Sequence, residues 1–515
     1  MTSIDFYGGV DEIGGNKIQI SSNNNSFFFD FGKSFNKEGE FFSEFLQPSK
    51  FFISGHRNQR FRQPRKANGI MDLMEFGLLP KVKGIYREDY LRHSGINFNE
   101  KPSVQGILIS HAHIDHMGYL HHIRDDIPFY MSKESYLIIK SLETTGAPGF
   151  SNYINYKQDF LLIEKKIAKE GSSTHKRATS KDTLKPREIK LIEPYETFEI
   201  GDFKIKSAPV DHSLPGSCAF LADNDENALV YTGDFRFHGK REYETKNFVK
   251  EAKKFSPNVL ITEGTRIDSD HNQLETDIEK KAAELALSHG DLIIVNYPIR
   301  DLDRFYTFYN VAKESDRTLV VNTKQAFLLN EFQDMGYPSI DDVAVYTSRK
   351  SWGLTGDESY VAFGDKWISS SKLDPEYVSA DYKGWEKDFV SWDNNVNYKD
   401  LKENPDEYIF QCDFFEFKEL IDIKPENAIY IKSKTEPFND EMELDKEREL
   451  KWLEHFNIKV HEGYHASGHA CGPEIIEMIR EINPESVYPI HTEKKEKFNV
   501  LKADGINVLN PKLSM

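Results

Sequence analysis

The sequence predicts an α/β fold organised in more than one domain. A chain of 515 residues is too long for a single compact core. After Asp234, strand-like apolar runs alternate with helical segments, which is typical of parallel βαβ units. The predicted strands lie at 259–263, 291–296 and 317–322, and the predicted helices at 274–289, 301–314 and 324–335. We therefore expect a parallel α/β segment within a larger α/β chain.

Composition indicates a folded protein of a reducing compartment. Hydrophobic content of 38% and aromatic content of 13% suit a globular chain. No basic-then-apolar leader is present and no apolar run reaches about 18 residues, so we expect no membrane partner. The cysteines are scattered and odd in number, which predicts a cytoplasmic location without a disulfide framework. They are Cys218, Cys412 and Cys471.

The formal net charge of −18 argues against one class of partner. It disfavours a nucleic-acid coat protein that binds through charge alone. It leaves a nuclease open, because a local cationic channel and bound divalent cations can dominate the field at a site.

The most informative stretch is Ser110–Gly118, which follows the apolar run 104–109. Within six residues it carries His111, His113, Asp115 and His116. A strand that ends in such a cluster projects its side chains into a common volume, and imidazole and carboxylate are the ligands that zinc-like cations prefer. A polar surface loop is the alternative, but the H-x-H-x-D-H spacing favours a metal site, with enough ligands for two ions.

This motif resembles the metallo-β-lactamase superfamily, in which it opens a dinuclear zinc site on an αββα sandwich. The resemblance implies further ligand-type residues at strand ends in a fixed order. The sequence supplies them as Asp30, His212, Asp234 and His491. By this resemblance His111, His113 and His212 hold one metal, and Asp115, His116 and His491 hold the other. Asp234 bridges the two ions, and Asp30 orients a ligating histidine.

The parallel insert narrows the resemblance to the β-CASP group and, within it, to the ribonuclease J family. The opening Gly-Gly-Val-x-Glu-Ile-Gly-Gly-Asn at 8–16 is similar to that family. Glu263 fits the acidic first β-CASP motif, and His469 of the His-x-Ser-Gly-His-Ala run at 465–470 fits the second. His491 fits the third, where a histidine is typical of RNA-processing members and an apolar residue of DNA-processing ones.

The resemblance covers only part of the chain. It includes 1–33, 104–120, 205–320 and 425–500, and it does not include 34–100 or 340–420, whose roles it leaves open. The implied domains are a first metallo-β-lactamase part at 1–240, the β-CASP domain at 241–425 and a closing metallo-β-lactamase part at 426–515. We expect the separate C-terminal domain of many ribonuclease J proteins to be absent, which leaves a homo-oligomer an open question.

The resemblance also implies roles in phosphodiester hydrolysis. Asp115 would accept the proton of the nucleophile. His469 would act as general acid or leaving-group stabiliser, oriented by Glu263. The implied substrate-binding residues are His465, Ser467 and Gly468, with a structural hydrogen-bonding role equally open for His465. The implied cofactors are two divalent metal ions, Zn²⁺ first, with Mn²⁺ or Mg²⁺ as alternatives.

The predicted function is that of a metal-dependent ribonuclease that hydrolyses single-stranded RNA. The sequence leaves 5′→3′ exonucleolytic and endonucleolytic cutting open. A DNA nuclease of the same fold is the alternative that His491 and the 465–470 motif disfavour. A small-molecule metallo-hydrolase would have no reason to carry Glu263 and His469. A catalytically inactive scaffold is disfavoured because every ligand position is filled.

Other features carry lesser predictions. The basic segments 56–66 and 175–187 are candidates for phosphate contacts, with solvated loops as the alternative. We expect His121 and His122 on a helix surface, His238 beside Asp234, and Tyr464 in the core.

Overall fold

The computed structural model describes most of the chain. The described residues are 2–23, 25–41, 70–91, 94–146, 151–159, 161–165, 171, 173–178, 183–348, 350, 360–369, 381–436 and 440–514. The predicted phosphate-contacting segment 56–66 lies outside the described residues. Within the described ranges, no helix has the length and apolar character needed to cross a membrane.

The first sheet has six strands within the described residues. Its opening three strands are antiparallel neighbours, and the others join in parallel. In spatial order they are Thr2–Gly8, Lys17–Ser22, Asn25–Phe29, Ile107–Leu108, Phe129–Met131 and Ile189–Leu191. Phe27 and Phe29 are buried on one face and Phe28 on the other. The continuous aromatic run is therefore explained by a sheet that is covered on both faces.

The second sheet has seven strands in the part of the chain that the structure describes. In spatial order they are Thr197–Ile200, Phe203–Pro209, Cys218–Asp223, Ala228–Tyr231, Val259–Glu263, Ser486–Ile490 and Asn507–Val508. The first four are antiparallel, and the last three extend the sheet in parallel. Residues near both ends of the chain thus share one sheet.

The two sheets pack face to face, and helices cover both outer faces. One buried apolar cluster joins the inner faces, with Phe29 of the first sheet stacked on Phe220 of the second. The outer face of the first sheet packs on helices Met71–Glu75, Ile114–Met117 and Lys133–Thr145. The outer face of the second packs on helices Glu242–Phe255 and Gly472–Ile482. The predicted αββα sandwich is confirmed.

The third sheet is parallel throughout and forms the insert. In spatial order its strands are Asn395–Val396, Ala344–Tyr346, Thr318–Asn322, Tyr408–Gln411, Ile293–Asn296, Ile429–Lys432 and Lys459–His461. One face packs on helices Glu275–Ser288, Leu302–Glu314 and Thr323–Glu331. The other face packs on helices Tyr398–Glu403, Leu420–Ile423 and Asp440–His455. The helix Leu302–Glu314 is called the insert helix below.

Sheet membership changes at other residues than the predicted domain boundaries. Val259–Glu263, which the sequence groups with the insert, pairs with strands of the second sheet on both sides. Ile429–Lys432, assigned to the closing part, pairs in the third sheet. A buried parallel strand is apolar whichever sheet it joins, so its sequence carries no information on its neighbours. The predicted boundaries themselves stay a prediction.

The remaining described elements are short. The helices are Phe35–Gly39 and Lys387–Val390, and the 3₁₀ turns are Glu88–Tyr90, Leu120–His122, Ile340–Asp342, Pro405–Glu407, Phe414–Glu419 and Lys495–Asp504. Three antiparallel pairs complete the set: Asn155–Lys157 with Leu184–Pro186, Leu162–Glu164 with His175–Arg177, and Tyr360–Phe363 with Lys366–Ser369.

The described part of the second basic segment includes a structural arginine. Arg187 is buried and donates to the carbonyls of Asn152, Arg124 and Ile123. Its guanidinium group is therefore committed within the fold, and the prediction of a phosphate contact is wrong for Arg187.

Candidate metal centre

The ligand-type side chains follow the carboxyl ends of strands in both inner sheets. Each comes within a few residues of its strand because the chain leaves the sheet there and turns across its edge. The strands are Asn25–Phe29 before Asp30, Ile107–Leu108 before His111, Phe203–Pro209 before His212, Ala228–Tyr231 before Asp234 and Ser486–Ile490 before His491. Both sheets of the sandwich thus deliver groups to one edge.

Three imidazoles converge in the first cluster. His111 Nε2 lies 2.9 Å from His113 Nδ1, which lies 3.1 Å from His212 Nε2. Burial and the neighbouring histidines lower the pKa of His111 and of His212 well below the ordinary value. Burial also lowers the pKa of His113, to about 4. These rings are neutral at pH 7, which is the form that binds a metal ion.

The second cluster pairs two histidines with two carboxylates. His491 Nε2 lies 3.1 Å from Asp115 Oδ2, and His116 Nε2 lies 3.1 Å from Asp234 Oδ2. The two Nε2 atoms are 3.3 Å apart. Burial opposes charge at His116, but Asp234 and Asp115 outweigh it and raise the pKa of that imidazole. Two carboxylates and two imidazole nitrogens thus lie close together, and a metal ion bound there would displace the proton of His116.

Asp234 belongs to both clusters. Its Oδ2 lies 3.7 Å from His111 Nε2 and 3.7 Å from His491 Nε2. Within the part of the chain that the structure describes, its Oδ1 is buried and has no hydrogen-bond partner. A buried carboxylate oxygen without a partner is costly unless a cation or donor satisfies it. The His and Asp donors and this oxygen fit divalent metal ions.

Asp30 fixes the segment Ser110–His116 through hydrogen bonds to Ser110 and His116. Its Oδ2 accepts from Ser110 Oγ at 2.8 Å and lies 2.8 Å from His116 Nδ1, while its Oδ1 accepts from the Ser110 amide at 2.7 Å. The Tyr231 hydroxyl donates to Oδ2 at 2.5 Å. An acid on Nδ1 directs Nε2 of His116 toward the cluster as the lone-pair nitrogen.

His469 and Glu263 form a pair beside Asp234. His469 Nδ1 lies 3.0 and 2.9 Å from the two Glu263 oxygens and 3.9 Å from Asp234 Oδ2. Glu263 is itself held by the amides of Phe235 and Thr265. Burial lowers the pKa of His469, but Glu263 outweighs it and raises that pKa to about 9. A protonated imidazole therefore lies at the edge of the clusters.

The segment 464–469, called the histidine loop here, lies directly against the first cluster. The Gly468 carbonyl accepts from His212 Nδ1 at 2.6 Å, and a Cβ on Gly468 would lie 2.9 Å from His212 Cε1. The Ser467 hydroxyl accepts from the His469 amide at 3.1 Å. The absence of a side chain at Gly468 permits this contact, and the Ser467 hydroxyl orients the loop.

The structure separates His465 from the clusters. Among the described residues it belongs to none of the three groups of ligand-type atoms that lie within 4.8 Å of one another. Its Nδ1 lies 3.4 Å from an Arg304 nitrogen, and burial and that guanidinium lower the pKa of His465 to about 3. Of the two roles left open for His465, this geometry favours the structural one. The roles of the other site residues stay predictions.

Two hydrogen-bond partners of the site escaped the sequence analysis. The Thr265 hydroxyl lies 2.8 Å from His491 Nδ1, and Tyr231 bonds Asp30. Thr265 lies two residues after Glu263, and Tyr231 lies three before Asp234. The sequence signal for both residues was their proximity to a proposed site residue. That signal does not show which nearby side chains point into the site.

Three lesser predictions have different outcomes. Tyr464 is buried in the core, as expected. The predicted surface position of the two adjacent histidines is wrong, because in their 3₁₀ turn His122 is buried and His121 is half-buried. The His122 ring packs on Tyr119, and the His121 ring packs on Tyr153. His238 donates from Nε2 to the Ser467 carbonyl at 2.9 Å, so it supports the histidine loop, and its position beside Asp234 stays a prediction.

Comparison with known proteins agrees with this fold. Residues 454–511 match the family described as Zn-dependent metallo-hydrolase RNA specificity domain. Two ribonuclease J proteins of Helicobacter pylori, from strains B128 and ATCC 700392 / 26695, are each 20% identical over 502 residues, covering 94% of this chain and 55% of theirs. The chain thus spans about half the length of the curated relatives it matches.

A solved structure supports the fold over the whole chain. It is a protein of unknown function from Enterococcus faecalis V583, 21% identical, with a TM-score of 0.67, covering 100% of this chain and 99% of that one. At this identity the likeness concerns the fold alone. Together with the family match, the fold is that of the metallo-β-lactamase superfamily with a β-CASP insert, and the sequence resembles ribonuclease J.

Proposed function

We propose that this protein is a metal-dependent ribonuclease that hydrolyses single-stranded RNA. The observation that carries the proposal is the His469–Glu263 pair, 3.9 Å from the carboxylate that both clusters share. A cation site with a protonated imidazole beside it suits hydrolysis of an ester whose leaving group needs a proton. Support for RNA comes from the match of residues 454–511 to an RNA specificity domain and from the likeness to ribonuclease J.

The two clusters divide the metal ligands. His111, His113 and His212 would hold one divalent ion, Asp115, His116 and His491 a second, and Asp234 would be shared. When bound, such ions supply an acidified water and neutralise charge on the phosphoryl oxygens. Zn²⁺ suits the histidine-rich first cluster, and Mn²⁺ is compatible with the carboxylates of the second.

The chain's own residues supply the proton transfers. Asp115 is the proposed proton acceptor, since its carboxylate is partly exposed while His491 holds one oxygen. Burial and Glu263 act in opposite directions on His469, and the carboxylate dominates, so the ring carries a proton at neutral pH. That proton is donated to the leaving alkoxide. Ser467, at the turn before His469, is proposed to contact the substrate phosphate.

The proposed location is a reducing compartment such as the cytoplasm. Cys218, Cys412 and Cys471 are all buried and unpaired. Free buried thiols are typical of proteins that fold where disulfides do not persist.

The test compares nucleic acids and variants. Wild type, His111→Ala, His469→Ala and His455→Ala are incubated with single-stranded RNA and DNA of one sequence, 5′-labelled or 3′-labelled, with Mn²⁺ or Zn²⁺. His455 is an exposed imidazole in the last turn of the helix Asp440–His455 and serves as the matched control. We expect RNA cleavage by wild type and His455→Ala, loss by about 10³-fold or more in His111→Ala, and loss by about 10²–10⁴-fold in His469→Ala.

The outcomes separate the alternatives. Labelled mononucleotides released first indicate exonucleolytic trimming, and internal fragments indicate endonucleolytic cutting. Absence of RNA cleavage by wild type, or equal cleavage by His111→Ala and wild type, refutes the proposal. Preference for DNA at equal length would replace it with a DNA nuclease.

A further inference from the structure

A buried ion network connects the insert to the candidate metal centre. Its centre is the pair Asp303–Arg304 in the first turn of the insert helix. Asp303 is 2% exposed and Arg304 is 0% exposed. Burial of adjacent opposite charges is expensive unless every donor and acceptor finds a partner. The partners of these two residues therefore show what the pair does.

Arg304 holds the histidine loop by its carbonyls. Its NH1 donates to the Tyr464 carbonyl at 3.2 Å and its NH2 donates to the Ala466 carbonyl at 3.2 Å. Glu275 balances the charge with a two-pronged contact at 2.7 and 2.9 Å. NH1 also reaches Ser433 at the end of a third-sheet strand. One planar guanidinium group thus joins the insert sheet to the loop that carries His469.

Asp303 acts through two further arginines. Its Oδ2 accepts from Arg236 NH2 at 3.1 Å, and its Oδ1 accepts from Arg241 NH1 at 3.0 Å. Arg236 NH1 donates to the Ser467 carbonyl at 3.3 Å, and Arg241 NH2 donates to the His212 carbonyl at 2.8 Å. The carboxylate therefore aligns two guanidinium groups, one on each side of the His212–Gly468 contact.

Asp211 completes the network from the second sheet. It accepts from Arg236 Nε at 3.0 Å, and the Arg236 amide donates to the Asp211 carbonyl at 2.7 Å. A Cβ on Gly239 would lie 2.4 Å from Asp211 Oδ2 and from Arg236 NH2, so this turn has no room for a side chain. The network leaves both the His212 strand end and the histidine loop little freedom relative to the insert helix.

We propose that Asp303 and Arg304 are positioning residues, through which the insert sets the relative position of His212 and His469. The inference rests on the proposed function and deepens it. Neither residue belongs to the three clusters of ligand-type atoms found among the described residues. Arg304 contacts backbone carbonyls directly, and Asp303 acts on them through two arginines, so the pair sets where the two imidazoles lie and leaves their chemistry unchanged.

The test uses substitutions that preserve charge or shape. Arg304→Lys keeps the positive charge, but an ammonium group lacks the planar guanidinium donors that bind Glu275 and two backbone carbonyls at once. Asp303→Asn keeps the shape and removes the charge that aligns Arg236 and Arg241. The matched control is Arg317→Lys, since Arg317 also donates to three carbonyls of the insert, at Asp291, Tyr408 and His289, away from the site.

In RNA cleavage we expect a split between turnover and binding. Arg304→Lys and Asp303→Asn should lower kcat by about 10–100-fold, because a small misplacement of reacting groups is enough for such a loss. KM should stay within about threefold. Arg317→Lys should keep kcat within about threefold of wild type, even where it lowers Tm as much as Arg304→Lys does. Equal kcat losses in Arg304→Lys and Arg317→Lys would overturn the proposal.

Hydrogen–deuterium exchange tests the same inference without catalysis. Amide hydrogens in peptides that cover 462–472 and 210–216 should exchange at least about tenfold faster in Arg304→Lys and in Asp303→Asn than in wild type. In Arg317→Lys their exchange rates should equal those of wild type. Unaltered exchange in both variants refutes the positioning role even where turnover falls. If wild type cuts no RNA but exchange responds as expected, the proposed substrate fails and the coupling survives. If Arg304→Lys does not fold, Asp303→Asn decides both measurements.

Discussion

Individual carboxylates determine how the histidines of this site behave. Asp234 lies within reach of both clusters, Asp30 fixes His116, and Glu263 keeps His469 charged. By contrast, His111 and His212 lie mainly among other imidazoles and are neutral. The same side chain is thus neutral in one place and protonated in another, because its nearest charges differ.

The charge on Glu263 has a measurable consequence. Glu263→Gln removes the carboxylate that raises the pKa of His469 to about 9. A general acid is active below its pKa, so we expect the alkaline limb of the kcat profile to move to lower pH by about one unit or more. RNA cleavage between pH 6 and 10 measures it. Glu485→Gln, an exposed carboxylate substitution, is the control; an unmoved limb in Glu263→Gln contradicts the assignment.

Lys17 is a buried amine beside the same site. Its Nζ donates to the carbonyls of Gly15 at 2.8 Å and Gly32 at 3.0 Å. Burial lowers its pKa from the ordinary 10.5 to about 7. Between these values the unfolded chain binds more protons than the folded one, so folded-state stability contributed by this residue rises with pH across that window.

A comparison of two lysine variants isolates this effect. Between pH 7 and pH 9, the unfolding free energy of wild type should rise by about 1–2 kcal/mol relative to that of Lys17→Met. Urea unfolding at the two pH values measures it. Lys204→Met removes an exposed lysine of the second sheet and should show no such shift. A constant difference for Lys17→Met would contradict the buried neutral amine.

At the scale of elements, the turns after strands bring the ligands together. The backbone after Asp30 lies directly on the metal motif: Phe31 N donates to the His116 carbonyl at 2.8 Å. A Cβ on Gly32 would lie 1.6 Å from the Asp115 carbonyl oxygen. The two turns therefore pack without space for any side chain between them.

Gly32→Ala tests this packing. The added methyl group must displace the turn that carries Asp115, so we expect a loss of about 2 kcal/mol or more in unfolding free energy and weaker metal binding by about tenfold or more. Chemical unfolding and metal titration by calorimetry are the measurements. Gly39→Ala, where a Cβ would meet nothing within 4 Å, is the control. Equal metal affinity in both variants would show that the turn adapts.

Prediction of elements from the sequence succeeded where the pattern is local. The helices predicted at 274–289 and 301–314 are observed at Glu275–Ser288 and Leu302–Glu314. The strand at 259–263 has the predicted bounds but belongs to the second sheet. Periodicity reports how a segment is buried, and it does not report the segment against which it pairs.

At the scale of the whole molecule, the proposed metal ligands cross-link distant parts of the chain. Asp115 and His491 meet although 376 residues separate them. A group of ligands so dispersed exists only in the folded protein. A metal ion that binds it therefore stabilises the native state by mass action.

Thermal unfolding tests this linkage. Zn²⁺ or Mn²⁺ at one hundred times its dissociation constant should add about 2.7 kcal/mol to the unfolding free energy, and EDTA should reverse the gain. His111→Ala should lose most of the increase in Tm, whereas His455→Ala should keep it. An equal increase in wild type and His111→Ala would place the bound metal elsewhere.

The sequence by itself determined the class of the fold and the residues of the candidate site. His111, His113, Asp115 and His116 are encoded within one short segment, and the resemblance to the metallo-β-lactamase superfamily added Asp30, His212, Asp234 and His491. The short motif and the alternation of strands and helices can be recognised in sequence because residue type and periodicity are local properties.

Only the tertiary structure decided how the site is held. No sequence pattern distinguishes Asp303, Arg304, Arg236 and Arg241 from the other charged residues, and their common role follows from burial around the carbonyls of the histidine loop. The tertiary structure also buries His122 and places Val259–Glu263 in the second sheet. Contacts between residues far apart in sequence arise from packing of whole layers, and no local pattern records them.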